Sequence, residues 1–398
     1  MKKISALVLF LMFFCLESKA QWLWDVKKMQ EIKRQIKNYT PAYKKLISDA
    51  DQELKKEPYS VTYKKGIAPS GVKNDYVSLS RYWWPNPETT DKLPYIYKDG
   101  QSNPELNEYD RNTLGKMCAS VNTLALAYFY SGNEKYAKKA SEFLQVWFMD
   151  PATKMNPHLE YAQFIPGRDG SKGRPEGLID SYSFVDMLNS LQLMKGSKYY
   201  TKELHSGLQQ WFSALAQWFQ TSSQGIREEA AKNNHATSYD SQMMVFYLFA
   251  GEEAKAKAIA EAFPKKRIDT QIEPDGKQPH ELRRTLSYHY SLYNLAHMFD
   301  AGVMSKALGV DFLNYVSADG KSFYKALDYL VGYVGKELQD WPYQQISGWE
   351  EKQQETCLNL LKIVSFFPEK QQYQEVIKKH FKFEGNERFV LYYGKPIE

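Results

Sequence analysis

Asn233-Asn234-His235, followed further along by Arg284 and Tyr290 in the run Glu281-Leu282-Arg283-Arg284-Thr285-Leu286-Ser287-Tyr288-His289-Tyr290, offers an amide, an imidazole, a guanidinium and a phenol. Together these groups can neutralise a sugar carboxylate, remove the proton beside it and protonate a leaving oxygen. Cleavage of a 4-linked uronate by β-elimination needs those three acts. The C5 proton is only weakly acidic while the adjacent carboxylate keeps its charge, so donors on that carboxylate must stabilise an enolate-like transition state. Asn234 and Arg284 carry suitable donors, and His235 is a third candidate. A base near C5 and an acid near O4 complete the chemistry.

Tyr290 is the expected proton-transfer residue. A free phenol titrates near pKa ~10, so a base role requires a nearby cation to lower it. In mannuronate and glucuronate the C5 hydrogen and O4 lie on one side of the ring, and one tyrosine can take the first proton and return it to the second. In guluronate they lie on opposite faces, which would divide the work between His235 as base and Tyr290 as acid. Helical spacing leaves the guanidinium ambiguous. Arg283 and Tyr290, seven apart, share a helix face, whereas Arg284 fits only if it lies in a loop before the helix, an entry that Pro279 would favour. Plainer roles exist for each piece: an Asn pair often caps a helix or makes a turn, and a histidine often serves as a bonded structural residue.

The elements that must position these groups read as helices. Apolar residues at helical spacing predict helices over 26–55, 114–130, 136–148, 179–194, 201–220, 241–250, 254–263, 282–301, 321–334, 358–366 and 373–381. Ser131-Gly132-Asn133 is a helical hairpin turn between two of them. No long Val/Ile/Thr alternation predicts a major sheet. The expected class is all-α: an α/α toroid, or incomplete α/α barrel, whose long loops gather around a groove. Two irregular segments, 56–113 with Arg81-Tyr82-Trp83-Trp84-Pro85 and 151–178 with Met155-Asn156-Pro157-His158, have the aromatic-rich composition of a working surface rather than of a linker. One domain over 21–398 is the reading.

Bulk properties agree. The 398 residues are 43% hydrophobic and 25% charged, with 29 Tyr and 9 Trp offering flat faces suited to stacking on sugar rings. Lys2 and Lys3, the apolar stretch Ile4–Leu16 and the small-x-small Ser18-Lys19-Ala20 predict an export leader cut after Ala20, so that the mature protein is periplasmic or secreted. The apolar stretch is too short to span a membrane. The formal charge of +5 falls to about +3 after processing. This mild surplus suits an anionic polysaccharide and is too small and too dispersed for nucleic acid. Cys118 and Cys357 alone survive in the mature chain and read as two buried thiols.

Several ordered motifs carry a resemblance. Asp75-Tyr76-x-Ser78 leads into Tyr82-Trp83-Trp84-Pro85-Asn86-Pro87, then Asp99-Gly100-x-x-Asn103-Pro104-Glu105. Met155-Asn156-Pro157 with Gln163-x-x-Pro166-Gly167, Asn233-Asn234-His235 with Tyr239-Asp240, and Glu281-Leu282-x-Arg284-Thr285 with Tyr290-Ser291 follow. Over residues 60–300 the chain resembles the alginate lyase superfamily of α/α-toroid polysaccharide lyases, near polysaccharide lyase families 5 and 38. The resemblance implies catalytic roles for Asn234, His235, Arg284 and Tyr290, and favours Arg284 over Arg283. It also implies groove contacts from Gln163, Tyr239, Trp83 and Trp84. His158, His280 and Tyr288 join them as candidate substrate contacts, His280 as an added positive charge for a carboxylate.

The expectation is therefore a lyase acting on a β-1,4-linked uronate, pointing to the mannuronate blocks of alginate with glucuronan as the alternative, and using no cofactor. A zinc helix motif is not completed, because the position four after His280 is Arg284, and no regularly spaced aspartates form a calcium loop. Two other readings stay open: a glycoside hydrolase pairing acids such as Asp180, Asp240 and Glu281, and a non-catalytic glycan-binding protein.

Overall fold

The computed structural model describes residues 22–98 and 101–396. The expected leader and its cut after Ala20 lie outside these residues, as do Asp99 and Gly100 of the loop motif. The chain opens with α1 (Val26–Arg34) and α2 (Thr40–Glu53). A 3-10 turn at Ile36–Tyr39 and Pro41 split what the periodicity predicts as one helix over 26–55. The loop segment carries β1 (Val77–Leu79), β2 (Trp83–Trp84) and β3 (Ile96–Tyr97). Next come α3 (Asp110–Ser131) and α4 (Glu134–Leu144), turned at Gly132 in the left-handed region with Asn133 capping α4. The second irregular segment holds β4 (Tyr161–Phe164). It leads through a 3-10 stretch at Pro175–Tyr182 into α5 (Ser183–Leu191), so the predicted helix 179–194 is α-helical only in its middle.

The rest is helical: α6 (Lys202–Thr221), α7 (Ser223–Glu229), α8 (Asn234–Ala250), α9 (Glu253–Phe263), α10 (Asp269–Gln271), α11 (Pro279–Leu282), α12 (Ser287–Ala307), α13 (Phe323–Val331), α14 (Trp349–Phe366), α15 (Gln371–His380) and α16 (Val390–Tyr393). Helices α3, α8 and α12 are buried on most sides and form the inner layer, packing on α5, α6, α9 and α14. Helices α4 and α15 are amphipathic and lie outside, against α3 and α14. This is the expected α/α toroid. Among the described residues no helix is long and apolar enough to cross a membrane, and Cys118 and Cys357 are free and buried.

Two features set up the site. Helix α8 begins at Asn234, seven residues before the predicted Ser241, because Asn233 caps it: the Asn233 side chain accepts from the His235 N–H. The polar residues Ser238, Asp240, Ser241 and Gln242 hide the helical pattern of its first two turns, yet all are buried. Second, the two irregular segments are stitched together by a parallel pairing of β1 with β4, Val77 against Tyr161 and Leu79 against Phe164. The register shifts at Gln163, whose backbone is left-handed at φ 51°. Gly177 lies so close below that a Cβ there would meet the Ala162 carbonyl at 2.4 Å.

Candidate active site

The start of α8 and the link between α11 and α12 meet at one buried carboxylate. Glu281 accepts the Asn234 backbone N–H at 2.6 Å through Oε1 and the Asn234 side-chain amide at 2.8 Å through Oε2. A carboxylate at a helix N-terminus is favoured by the exposed N–H groups there. Burial pushes Glu281 above the usual carboxylate range, and the Asn234 donors, Arg284 and His235 pull it back. Asn234 is itself buried, and its Oδ1 has no partner.

His235, next along, is partly exposed, and its Nδ1 lies 2.7 Å from Glu228 Oε1 on α7. That contact occupies Nδ1 and leaves Nε2 outside it. Burial disfavours the imidazolium, but Glu228, with Glu176 and Glu281 behind it, outweighs burial and lifts His235 above its ordinary value.

Arg284 lies in the link between α11 and α12, as the loop alternative required. Its guanidinium stacks over the Tyr290 ring, 3.8 Å from the centroid. Arg283 turns away to the Pro279 carbonyl and His280 Nδ1, so the helical-spacing partner is not the one used. Burial raises the Tyr290 phenol above its usual range; Arg284 opposes this, and a hydrogen bond with the Tyr82 hydroxyl adds to it. The base role anticipated a lowered phenol. The correction has a simple cause, since desolvation outweighs the cation and the resting phenol is protonated.

A second buried carboxylate is Asp180, which accepts from Tyr76 at 3.1 Å, Ser78 at 2.5 Å and Gln163 Nε2 at 3.0 Å, and pairs with Arg111 at 3.3 Å. Asp240 is likewise consumed by a buried pair with Arg267 at 2.6 Å, and Glu281 by Asn234. None of the three acids weighed for hydrolysis is free to act as a general acid. Among the described residues no group of three or more His, Cys, Asp or Glu is arranged to hold a metal ion.

The structure sorts the remaining candidates. Trp83 and Trp84 follow Tyr82 directly on β2 and are partly exposed; Arg168 lies over the Trp83 ring at 4.7 Å and Lys98 over Trp84 at 5.0 Å. Gln163 has its Nε2 spent on Asp180 and the Glu176 carbonyl. His158 has both ring nitrogens engaged, Nε2 with Asp75 and Nδ1 with the Glu160 N–H, so only its ring face, near Trp218, is available. His280 bonds Arg283; burial and that arginine depress its pKa, so it is not the added positive charge expected.

Tyr239 and Tyr288 are core residues rather than groove contacts. Tyr239 stacks on Phe219 and donates to its carbonyl. Tyr288 packs between Trp341 and Trp349 with its hydroxyl on Thr356. Tyr288 lies on α12 two residues before Tyr290 and so faces a different side of that helix.

Sequence reading missed Glu228, which sits in an Arg-Glu-Glu run that looks like a solvated face. It also missed the role of Tyr82, although the motif containing it was in view, and Arg111, one residue into α3.

A family model described as alginate lyase matches residues 60–341. The fold superposes on the crystal structure of an alginate lyase from Bacteroides ovatus with a TM-score of 0.91 and 45% identity, covering 94% of this chain and 98% of that one. Alginate lyase A1-III from Sphingomonas species A1 aligns with a TM-score of 0.61 at 14% identity, over 95% of this chain and 97% of its own. A histidine-to-alanine variant of A1-III complexed with tetrasaccharide gives 0.58 at 14% identity, over 96% and 98%. These last two speak for the fold. Among curated proteins none matches the chain.

Proposed function

The chain belongs to the alginate lyase family and is a polysaccharide lyase, and from that premise we propose that it cuts the mannuronate blocks of alginate by β-elimination, with Tyr290 moving the proton. The observation that carries this reading is the Arg284 guanidinium stacked on the Tyr290 ring, where it favours the phenolate that must take the C5 proton. The sugar carboxylate is held by Asn234, His235 and Arg284. One Asn234 amide hydrogen goes to Glu281, and the second is left to donate to the sugar carboxylate. As C5 loses its proton, negative charge flows into the carboxylate these groups surround. The same phenol then protonates O4 as the C4–O4 bond breaks, leaving a C4–C5 double bond.

A second reading is favoured by one observation. The Glu228–His235 contact orients Nε2 and strengthens it as a base, and a protonated Tyr290 is ready as an acid. That pair suits guluronate, where proton and leaving oxygen lie on opposite faces.

The test is a panel of polymannuronate, polyguluronate and glucuronan, read as absorbance of the conjugated product near ~235 nm. Polymannuronate is expected to be cut fastest. A His235→Asn variant that keeps polymannuronate activity and loses polyguluronate activity assigns the base to Tyr290 on the first and to His235 on the second. Saturated products from every polymer would overturn the elimination. Export follows from the Lys2–Ala20 leader, and the protein recovered from the periplasm or medium should begin at Gln21.

A further inference from the structure

A second cavity, of about 520 Å³, opens at the other end of the inner helices. It is lined by Trp22, Gln192, Lys195, His205, Glu253 and Lys257 among others. Leu248, near the C-terminus of α8, also lines it. Asn234 starts the same helix, which puts roughly 21 Å of α8 between the two sites. The cavity is therefore separate from the cleft.

Its lining carries two lysines against one carboxylate. Among the described residues Lys195 makes no ion pair, and Lys257 has only Glu261 at 3.8 Å, with both side chains exposed. Glu253 is the single carboxylate in the lining and forms no ion pair either. The Oε1 of Gln192 is buried without a partner. His205 bonds Tyr200 through Nδ1 at 2.9 Å, leaving Nε2 as its free nitrogen. Burial and Lys195 both depress the His205 pKa, so it serves as a neutral hydrogen-bonding group.

We infer that this cavity is a non-catalytic binding site for a uronate residue of the polysaccharide, the two lysines taking the carboxylate while Gln192 and His205 meet sugar hydroxyls. The inference rests on the lyase reading for the identity of its ligand. Its volume and amide lining suit a sugar better than a bare inorganic anion. Its effect would be avidity: a long chain held at the far end raises its local concentration at the cleft, whereas a short oligomer gains nothing.

The experiment is calorimetric titration of Tyr290→Phe with mannuronate tetrasaccharide, repeated in a variant that also carries Lys195→Glu and Lys257→Glu. Two equivalents bound by the first and one by the second are expected. The Lys195→Glu/Lys257→Glu protein with Tyr290 intact should show a KM for long polymer raised roughly tenfold, with tetrasaccharide cleavage unchanged. One equivalent in both titrations, or two in both, overturns the inference. So does binding of inorganic phosphate at this cavity with no tetrasaccharide there. Failure of the lyase reading would show separately, as wild-type protein that gives no absorbing product from alginate.

Discussion

Glu281 grips Asn234 twice, by backbone and by side chain, and so fastens the first turn of α8 to the link that carries Arg284. Glu281→Gln keeps the shape but replaces one acceptor with a donor. We expect kcat to fall by roughly tenfold or more as the two halves of the site lose register. Stability should drop by about 1–3 kcal/mol from the unmet Asn234 donor. Wild-type kcat in the variant would show that the grip is not needed for alignment.

Tyr290→Phe removes the hydroxyl and leaves the ring under Arg284. Turnover on polymannuronate should fall by at least ~10³-fold, while polymer binding, measured by calorimetry, stays within a few-fold of wild type. Retained turnover would take the phenol out of the mechanism.

Tyr82→Phe tests the tuning of that phenol. The Tyr82 hydroxyl raises Tyr290 on top of burial, so its removal should lower the Tyr290 pKa. A base that works as phenolate gains activity as pH rises through its pKa. The rising, acid-side limb of kcat/KM on polymannuronate should therefore move to lower pH in the variant; an unmoved or opposite limb would contradict the assignment.

Glu228→Gln tests the imidazole. Glu228 is what holds His235 above its ordinary pKa against burial. In the variant burial wins, and the His235 titration followed by NMR should drop below the ordinary ~6.5. The sign for stability follows. In the wild type the native state binds this proton more tightly than the unfolded chain, so the His235 contribution is fully present below about 6.5 and is lost as pH climbs through the raised native value. With the native value below the unfolded one, Glu228→Gln should reverse that dependence in thermal denaturation, stability now rising with pH through the His235 titration.

Tyr288→Phe should leave KM and kcat nearly unchanged and cost about 0.5–1.5 kcal/mol of stability, the worth of its bond to Thr356. A large rise in KM would return Tyr288 to the groove.

Sequence carried the helical class and the hairpin at Gly132, because apolar spacing and turn residues are local signals, and it named Asn234, His235, Arg284 and Tyr290 as candidates, which the fold sets at the start of α8 and around the start of α12. It did not carry the start of α8, where buried Ser238, Asp240 and Gln242 read as surface. Helical spacing alone left Arg283 and Arg284 unresolved; the resemblance favoured Arg284, and the break between α11 and α12 puts it in the loop that choice required. Assigning Tyr239 and Tyr288 to the groove failed because motif membership says nothing about which side of a helix a residue faces. Glu228 was invisible for the converse reason, a long-range partner hidden in an ordinary charged run.

Asp180 spends its carboxylate on fastening α3, β1, β4 and the 3-10 stretch before α5. An evolutionary or engineered path from elimination to hydrolysis on this scaffold would have to recruit an acid, and Asp180 is already a structural rivet. Freeing it would loosen four segments before any new reaction began, so drift toward that chemistry meets a stability barrier first.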